Sequence, residues 1–148
     1  MSATLKTVAA LVLLSASVQA SAQDLKAIDP VAVLNICAPA VTDDCMVRNF
    51  KDSQEASVIR GRLVFGNYCT LCHGFEGKGD GRAAKIHNPR PFNLTISTAP
   101  RDYIAQVIRK GGEAMGRGKG MPPWGDQLTD EQTNDALNFL FSIRTIKN

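Results

Sequence analysis

Two cysteines and a histidine stand together in the segment Cys69-Thr70-Leu71-Cys72-His73, which has the pattern C-x-x-C-H. Two thiols three positions apart on a helical turn can each add to one vinyl group of a haem, and this spacing is the attachment signature of a c-type haem. The histidine is then brought beneath the iron as its proximal ligand. The motif therefore predicts one covalent haem c, attached through Cys69 and Cys72, with its iron bound by His73.

Two other uses of the C-x-x-C pair have less support. A redox dithiol of the thioredoxin kind needs a βαβ context, which the surrounding sequence lacks. A zinc site needs a second cysteine pair at similar spacing, whereas Cys37 and Cys45 are eight residues apart. In an oxidising compartment these two most simply pair with each other, which would stabilise the folded chain by roughly 2 to 3 kcal/mol. A bridge to another chain, or two free thiols, is the alternative.

The N-terminal segment reads as a secretory signal peptide. Residues 1–22 carry Lys6, then an apolar run from Val8 to Leu14, then small residues ending at Ala22. The run is too short to span a bilayer comfortably, so an uncleaved membrane anchor is the lesser alternative. We divide the chain into a signal peptide (1–22), an N-terminal extension with the cysteine pair (23–54) and a haem domain (55–148). The mature chain is predicted to be periplasmic, with no transmembrane segment.

Apolar residues recur at helical spacing in three segments of the haem domain. The first runs from Gln54 to Tyr68 into the haem motif, the second from about Arg101 to Lys110, and the third from Thr129 through Ile143. No segment alternates like a strand. These features predict an all-α fold, a small helical domain around one covalent haem, preceded by the extension.

The ends of the helices carry recognisable signals. Ser97 or Thr98 is expected to cap the start of the second helix, and Gly111 is a plausible C-terminal stop. Thr129 and Gln132 fit a capping box at the start of the third helix, because each side chain can satisfy a backbone amide of the other residue.

Basic residues concentrate in the middle of the chain. Residues 58–128 contain eleven Lys and Arg against five Asp and Glu, although the whole chain has a net charge of only +3. The basic residues near the haem motif and in the later loops are Lys78, Arg82, Lys85, Arg90, Arg117 and Lys119. A basic rim of this kind would steer an acidic redox partner, although a merely solvated face explains it equally well. The chain lacks the aromatic-interleaved basic stripe of a nucleic-acid binder, so no nucleic-acid partner is predicted.

From about residue 55 onward the chain resembles the class I single-haem c-type cytochromes. Gly61 and Phe65 precede Cys69 by eight and four residues, where that family carries the glycine and aromatic residue of its first helix. The resemblance implies that Gly61 lets the last helix cross closely against Ala136 and Phe139. Residues 77–81, Gly-Lys-Gly-Asp-Gly, are similar to the turn-rich loop of many bacterial members.

One position departs from that resemblance. Arg82 stands where many relatives have a proline, near the backbone carbonyl that receives the N–H of the proximal histidine. The sequence therefore leaves open whether the carbonyl of Arg82 or a later one holds His73.

The sixth iron ligand has three candidates: Met121, Met115 and His87. Met121 precedes two prolines and comes after a glycine-rich segment, which is similar to the distal-ligand loop of the family. The glycines give this loop freedom to reach the haem, and the prolines stiffen the chain beyond Met121. Met121 is the predicted ligand, Met115 its natural substitute, and His87 is interpreted as an exposed loop residue. Trp124 is expected to pack near the haem or the last helix.

A His/Met pair favours reduced iron and therefore suits an electron carrier. We predict an electron-transfer protein and no separate catalytic site, since no nucleophile, phosphate loop or carboxylate pair stands in a convincing context. Two alternatives are a haem subunit of a larger oxidoreductase, docked through the extension, and a ligand-binding or peroxidase-like haem protein.

Covalent attachment gives the first testable prediction. Denaturing the haem-loaded protein in acidified organic solvent should leave the haem on the polypeptide, because thioether bonds survive conditions that break iron coordination. The absorbance of the precipitated protein and of the solvent phase measures this. Haem extracted intact into the solvent would refute attachment through Cys69 and Cys72.

Overall fold

A computed structural model describes residues 25–146, and the regular structure of this part of the chain is helical. Its elements are α1 (Pro30–Cys37), α2 (Asp43–Asn49), α3 (Gln54–Tyr68), α4 (Thr70–His73), α5 (Arg101–Ala114) and α6 (Asp130–Ser142), with two short 3-10 helices at Ala84–Ile86 and Leu94–Ile96. The prediction of an all-α fold is confirmed. No helix in residues 25–146 is long and apolar enough to cross a bilayer. The predicted signal peptide lies outside the described residues.

The predicted boundaries hold well for α3 and α6. The capping box forms at α6: the Gln132 N–H donates to Thr129 Oγ1 at 3.1 Å, and the Thr129 N–H donates to Gln132 Oε1 at 2.9 Å. The predicted cap of α5 is wrong. Helix α5 starts after Pro100 without a side-chain cap, while Ser97 Oγ accepts from the Ala99 N–H at 3.3 Å. Ser97 and Thr98 lie too far before the first turn to reach its free amides.

Helix α5 contains a break that divides it into two parts. Gly111 has φ 80° and ψ 169°, a conformation that residues with a side chain rarely adopt, and the helix resumes beyond it to Ala114. The predicted stop at Gly111 is therefore the end of the first part only. The break turns the end of α5 toward the loop that carries Met121.

Helices α3 and α6 make backbone contact at Gly61. A Cβ atom placed on Gly61 would lie 1.9 Å from the Asp135 carbonyl oxygen and 2.9 Å from Phe139 Cβ. Beside this contact the rings of Phe65 and Phe139 pack with their centroids 5.2 Å apart. The implied close crossing of the last helix is therefore present. Around it lies the central core, formed by the buried residues Val64, Phe65, Ile108, Leu128, Ala136, Leu137, Phe139 and Leu140.

A buried polar network joins the same two helices. Asp135 of α6 accepts from the Ser57 hydroxyl and from two guanidinium nitrogens of Arg60, Nε at 2.7 Å and Nη2 at 2.9 Å. The Asn138 amide donates to the Ser57 hydroxyl at 2.7 Å. The buried carboxylate is thus paired and hydrogen-bonded, which offsets its desolvation and holds the crossing in one register.

The N-terminal extension contains two short helices that were not predicted from the sequence. Asp29 caps α1 and Thr42 caps α2, and the predicted disulfide joins Cys37 to Cys45 with a Cα–Cα distance of 5.8 Å. Each helix has at most eight residues, too few to show a clear period in the sequence. A small separate core, made by Val33, Cys37 and Met46, packs against partly buried neighbours that include Ile59 of α3.

The Gly61 contact predicts opposite effects for two alanine substitutions in one helix. Gly61→Ala should lower the free energy of unfolding by roughly 3 kcal/mol, because the new methyl group meets backbone that cannot move aside. Gly66→Ala should raise it by up to about 1 kcal/mol, because a Cβ there meets nothing within 4 Å and alanine favours the helix. Urea unfolding of both haem-loaded variants measures this, and equal effects would contradict the close crossing.

Candidate haem-binding site

The haem motif lies at the end of α3 and forms its own helical turn. The Cys69 N–H donates to the Phe65 carbonyl at 2.9 Å, which ends α3, and the His73 N–H donates to the Cys69 carbonyl at 2.8 Å within α4. Residues three positions apart on such a turn lie on one face. The turn therefore presents Cys69 and Cys72 side by side, with His73 directly after them.

The two thiols have the character of attachment residues rather than of a redox pair. Both are free, and burial, with a smaller contribution from the neighbouring Cys72, raises the pKa of Cys69 to about 12. In a redox dithiol the first thiol is the nucleophile and has a depressed pKa, whereas the pKa of Cys69 is shifted the opposite way. The zinc alternative also lacks support, because Cys37 and Cys45 are disulfide-bonded and no group of three or more His, Cys, Asp or Glu side chains placed to hold a metal ion occurs within residues 25–146.

His73 is oriented by a backbone carbonyl. Its Nδ1–H donates to the Phe92 carbonyl at 3.3 Å, which leaves Nε2 as the free nitrogen. Burial lowers the pKa of His73, and the Phe92 carbonyl opposes this only in part, so the ring is held neutral. The identity of the acceptor, which the sequence left open, is thereby decided: it is Phe92 and not Arg82.

The glycine-rich loop brings Phe92 to the histidine. Gly79 donates to the His73 carbonyl at 2.8 Å, and Leu94 donates to the Gly77 carbonyl at 2.7 Å. Gly77 and Gly79 have φ of 73° and 78°, as the predicted turn-rich loop requires. Residues 77–94 thus fold back on α4.

Met121 lies in a loop that is held against the broken end of α5. The Gly112 N–H donates to the Met121 carbonyl at 2.9 Å, and the Trp124 N–H donates to the Ile108 carbonyl at 2.9 Å. A Cβ on Gly111 would lie 2.8 Å from Pro123 N, so only glycine allows this approach. Met121 is half-buried and packs against the central core, whereas Met115 caps the end of α5. This role of Gly111 and Gly112 was not predicted from the sequence.

Two further residues singled out from the sequence lie beside the motif. Trp124 packs against the central core and meets Tyr68 edge to face, with ring centroids 5.3 Å apart. His87 is half-buried, and its Nε2 lies 3.6 Å from Cys72 Sγ. The interpretation of His87 as an exposed loop residue was therefore wrong, because the loop after the motif folds back over the attachment cysteine.

These residues fit a covalent haem. Cys69 and Met121, separated by more than fifty residues in the chain, pack against one central core. Large apolar side chains remain exposed on the segments that surround the thiols, with Leu71 54% exposed, Phe92 54% and Ile86 81%. An apolar macrocycle attached at Cys69 and Cys72 would cover surface of this kind. His73 Nε2 and the Met121 sulfur are the donor atoms suited to haem iron.

The basic side chains near the motif are all exposed, but they differ in their partners. Lys78 pairs with Glu76, Lys119 pairs with Glu113 at 3.3 Å, and Arg117 donates to the Tyr103 hydroxyl at 2.7 Å. The remaining three, Arg82, Lys85 and Arg90, form no ion pair with the described residues 25–146.

Comparison with known proteins identifies the family of this chain. Residues 56–140 match the family described as cytochrome C oxidase, cbb3-type, subunit III. The chain is 30% identical over 93 residues to the cbb3-type cytochrome c oxidase subunit FixP of Sinorhizobium medicae, covering 61% of this chain and 31% of that protein. The chain thus spans about a third of the length of that curated relative.

Two solved structures are similar to parts of the chain. One is a chain of the reducing HAO-like protein complex Kustc0457/Kustc0458 of Kuenenia stuttgartiensis, with a TM-score of 0.48, 32% identity and coverage of 57% of this chain and 41% of that one. The other is cytochrome CL of Methylophaga aminisulfidivorans, with a TM-score of 0.45, 19% identity and coverage of 60% and 54%.

The helical fold and the C-x-x-C-H motif, taken with the family match, define a single-haem c-type cytochrome that carries covalent haem c and its iron. The chain belongs to the family of cytochrome C oxidase, cbb3-type, subunit III.

Proposed function

We propose that this cytochrome carries single electrons on one haem c whose iron is bound by His73 and Met121, and that it has no catalytic site of its own. When bound, the haem supplies reversible one-electron chemistry at its iron. The observation that carries the proposal is the packing of Cys69 and Met121 against one central core. This shared packing supports a single site formed by the attachment segment and the loop that carries Met121.

His73 contributes a fixed and neutral imidazole. The hydrogen bond from Nδ1 to the Phe92 carbonyl selects the tautomer with Nε2 free, and such a second hydrogen bond raises the basicity of the ligand. Because the acceptor is a backbone carbonyl in a folded loop, the orientation of the ring does not depend on a mobile side chain.

Met121 contributes a neutral, soft thioether. Such a ligand favours reduced iron, so the potential lies above that of a bis-histidine haem. A filled sixth position also keeps small ligands from the iron and leaves electron transfer as the chemistry of the site. The hydrogen bond from Gly112 and the packing on Gly111 support this role, because they hold the loop in place.

Partners and location are inferred from the charge pattern and the N-terminal segment. Arg82, Lys85 and Arg90 offer exposed positive charge on the loop that folds over α4, which suits an acidic redox protein and a salt-sensitive encounter. We propose a periplasmic location, with a signal peptide at 1–22, the extension at 23–54 and the haem domain at 55–148.

Met121→Ala should convert the carrier into a ligand binder. His73 and both attachment cysteines remain, so haem should stay bound while the methionine-to-iron charge-transfer band disappears and carbon monoxide binds readily to the reduced protein. The potential should fall by a sizeable part of the about 0.8 V range over which axial ligands set haem potentials. Optical spectra, carbon monoxide titration and potentiometry measure these changes.

Met115→Ala is the matched control and should keep the wild-type spectrum. Loss of the band in Met115→Ala but not in Met121→Ala would reverse the assignment. Rapid carbon monoxide binding to the wild type would instead favour the ligand-binding or peroxidase-like alternative.

A second candidate function is that of a haem subunit in a larger oxidoreductase, docked through the extension. Residues 30–42 contain no charged residue, and α1 exposes 61% of Val31 and 62% of Leu34. This apolar surface belongs to the extension, which has a small core of its own, and the disulfide holds it in place. Surface of this kind favours association with another chain. The name of FixP, a subunit of an oxidase, agrees with such a role.

Co-elution tests the second candidate. In extracts of its natural host the haem protein should elute well above the position of a single mature chain, since even the full chain with its signal peptide has a mass of 16.0 kDa. The double variant Val31→Ser, Leu34→Ser should shift it toward the monomer with an unchanged optical spectrum, because only the apolar contact is lost. Ile146→Ser, at another exposed apolar residue, is the control. A monomeric wild type would exclude this function.

A further inference from the structure

His87 lies between the haem-attachment turn and the loop that carries Met121. Its Nε2 is 3.6 Å from Cys72 Sγ. On the other side, a Cβ placed on Gly120 would lie 2.8 Å from His87 Nδ1 and 3.2 Å from its Cγ. The imidazole therefore occupies the space directly beside the residue that precedes Met121, and no larger residue than glycine fits at position 120 while His87 is in place.

Gly118, two residues before Gly120, makes a similar close contact with the segment that contains His87. A Cβ on Gly118 would lie 3.0 Å from Pro89 Cδ, and Gly118 has φ 96°. Residues 87–89 thus lie alongside residues 118–120. The far end of the same loop is bound to α5 through the hydrogen bond between Gly112 and Met121. The Met121 loop is consequently held from two sides, by α5 and by the segment 87–89.

A methionine ligand needs this support more than a histidine does. The bond between a neutral thioether and iron is weak, and the glycines at 116, 118 and 120 leave the loop little stiffness of its own. Contacts outside the metal centre then determine how often Met121 dissociates from the iron. In other metal sites, residues around the ligands likewise hold those ligands in their orientation.

We propose that His87 is a positioning residue that holds the Met121 loop over the haem and so limits displacement of Met121 by outside ligands. This inference rests on the proposed His73/Met121 coordination. It gives a role to a histidine that neither attaches the haem nor binds the iron.

Cyanide binding to the oxidised, haem-loaded protein tests the proposal, because cyanide can bind only when Met121 has left the iron. His87→Ala should keep the methionine-to-iron band but bind cyanide roughly tenfold faster, within the range of coupling seen between residues in contact. Thr98→Ala, at an exposed residue outside the site, should bind cyanide at the wild-type rate. An unchanged rate in His87→Ala, with the band present in the wild type, would overturn this inference and leave the coordination intact.

A double-mutant cycle separates positioning from general loosening of the fold. Gly120→Ala alone should speed cyanide binding, because its methyl group collides with the imidazole. In the His87→Ala background the same methyl group enters the vacated space, so Gly120→Ala should slow cyanide binding toward the wild-type rate. Additive effects would overturn the proposal. Absence of the band in the wild type would overturn the coordination and this inference together. Loss of the band in His87→Ala alone, with haem still bound, would support the inference, because Met121 would then leave the iron without His87.

Discussion

The backbone contact between α3 and α6 at Gly61 is the constraint on which the haem site depends. Helix α3 ends directly in the attachment turn, so its position determines where Cys69, Cys72 and His73 lie. Helix α6 comes after the Met121 loop and contributes Ala136, Leu137, Phe139 and Leu140 to the central core. Because the two helices touch without intervening side chains, the attachment turn and the loop before α6 are brought to the same core. The ion pair between Arg60 and Asp135 fixes the rotation of one helix against the other.

The site itself is built mainly from backbone contacts of loops. The Phe92 carbonyl orients His73, the Gly112 amide holds Met121, and glycines at 79, 111 and 120 admit neighbours that a side chain would exclude. Loops of this composition are mobile in isolation, since glycine loses more conformational freedom on folding than other residues. Their order here comes from hydrogen bonds to helix ends and from packing on the central core. Rigid helices thus set the frame, and the contacts made by loops position His73 and Met121 on it.

The extension forms a second, smaller unit against the outside of α3. Its helices share a core with Ile59, and Arg60 links the two units by donating to the Lys51 carbonyl at 2.8 Å while also binding Asp135. One side chain therefore joins the extension, α3 and α6. The disulfide provides the stability that so small a core lacks, because small domains bury too little apolar surface to be stable alone. The extension thereby adds an exposed, uncharged helix beside a basic haem domain.

The amino-acid sequence by itself determined the local features of this protein. The C-x-x-C-H motif, the span of α3, the capping box of α6, the disulfide and the helical class were all predictable, because each depends on residues that are close together in the chain or on a pattern that repeats along it. The acceptor for His73, the break of α5 beside the Met121 loop, the helices of the extension and the place of His87 were not. The helices of the extension are too short to show a clear period. The other three features depend on segments that are far apart in the chain and meet only in the folded protein. The spacing of residues in the sequence does not show which loop packs against the attachment turn or against α5. Only the tertiary structure decided these contacts.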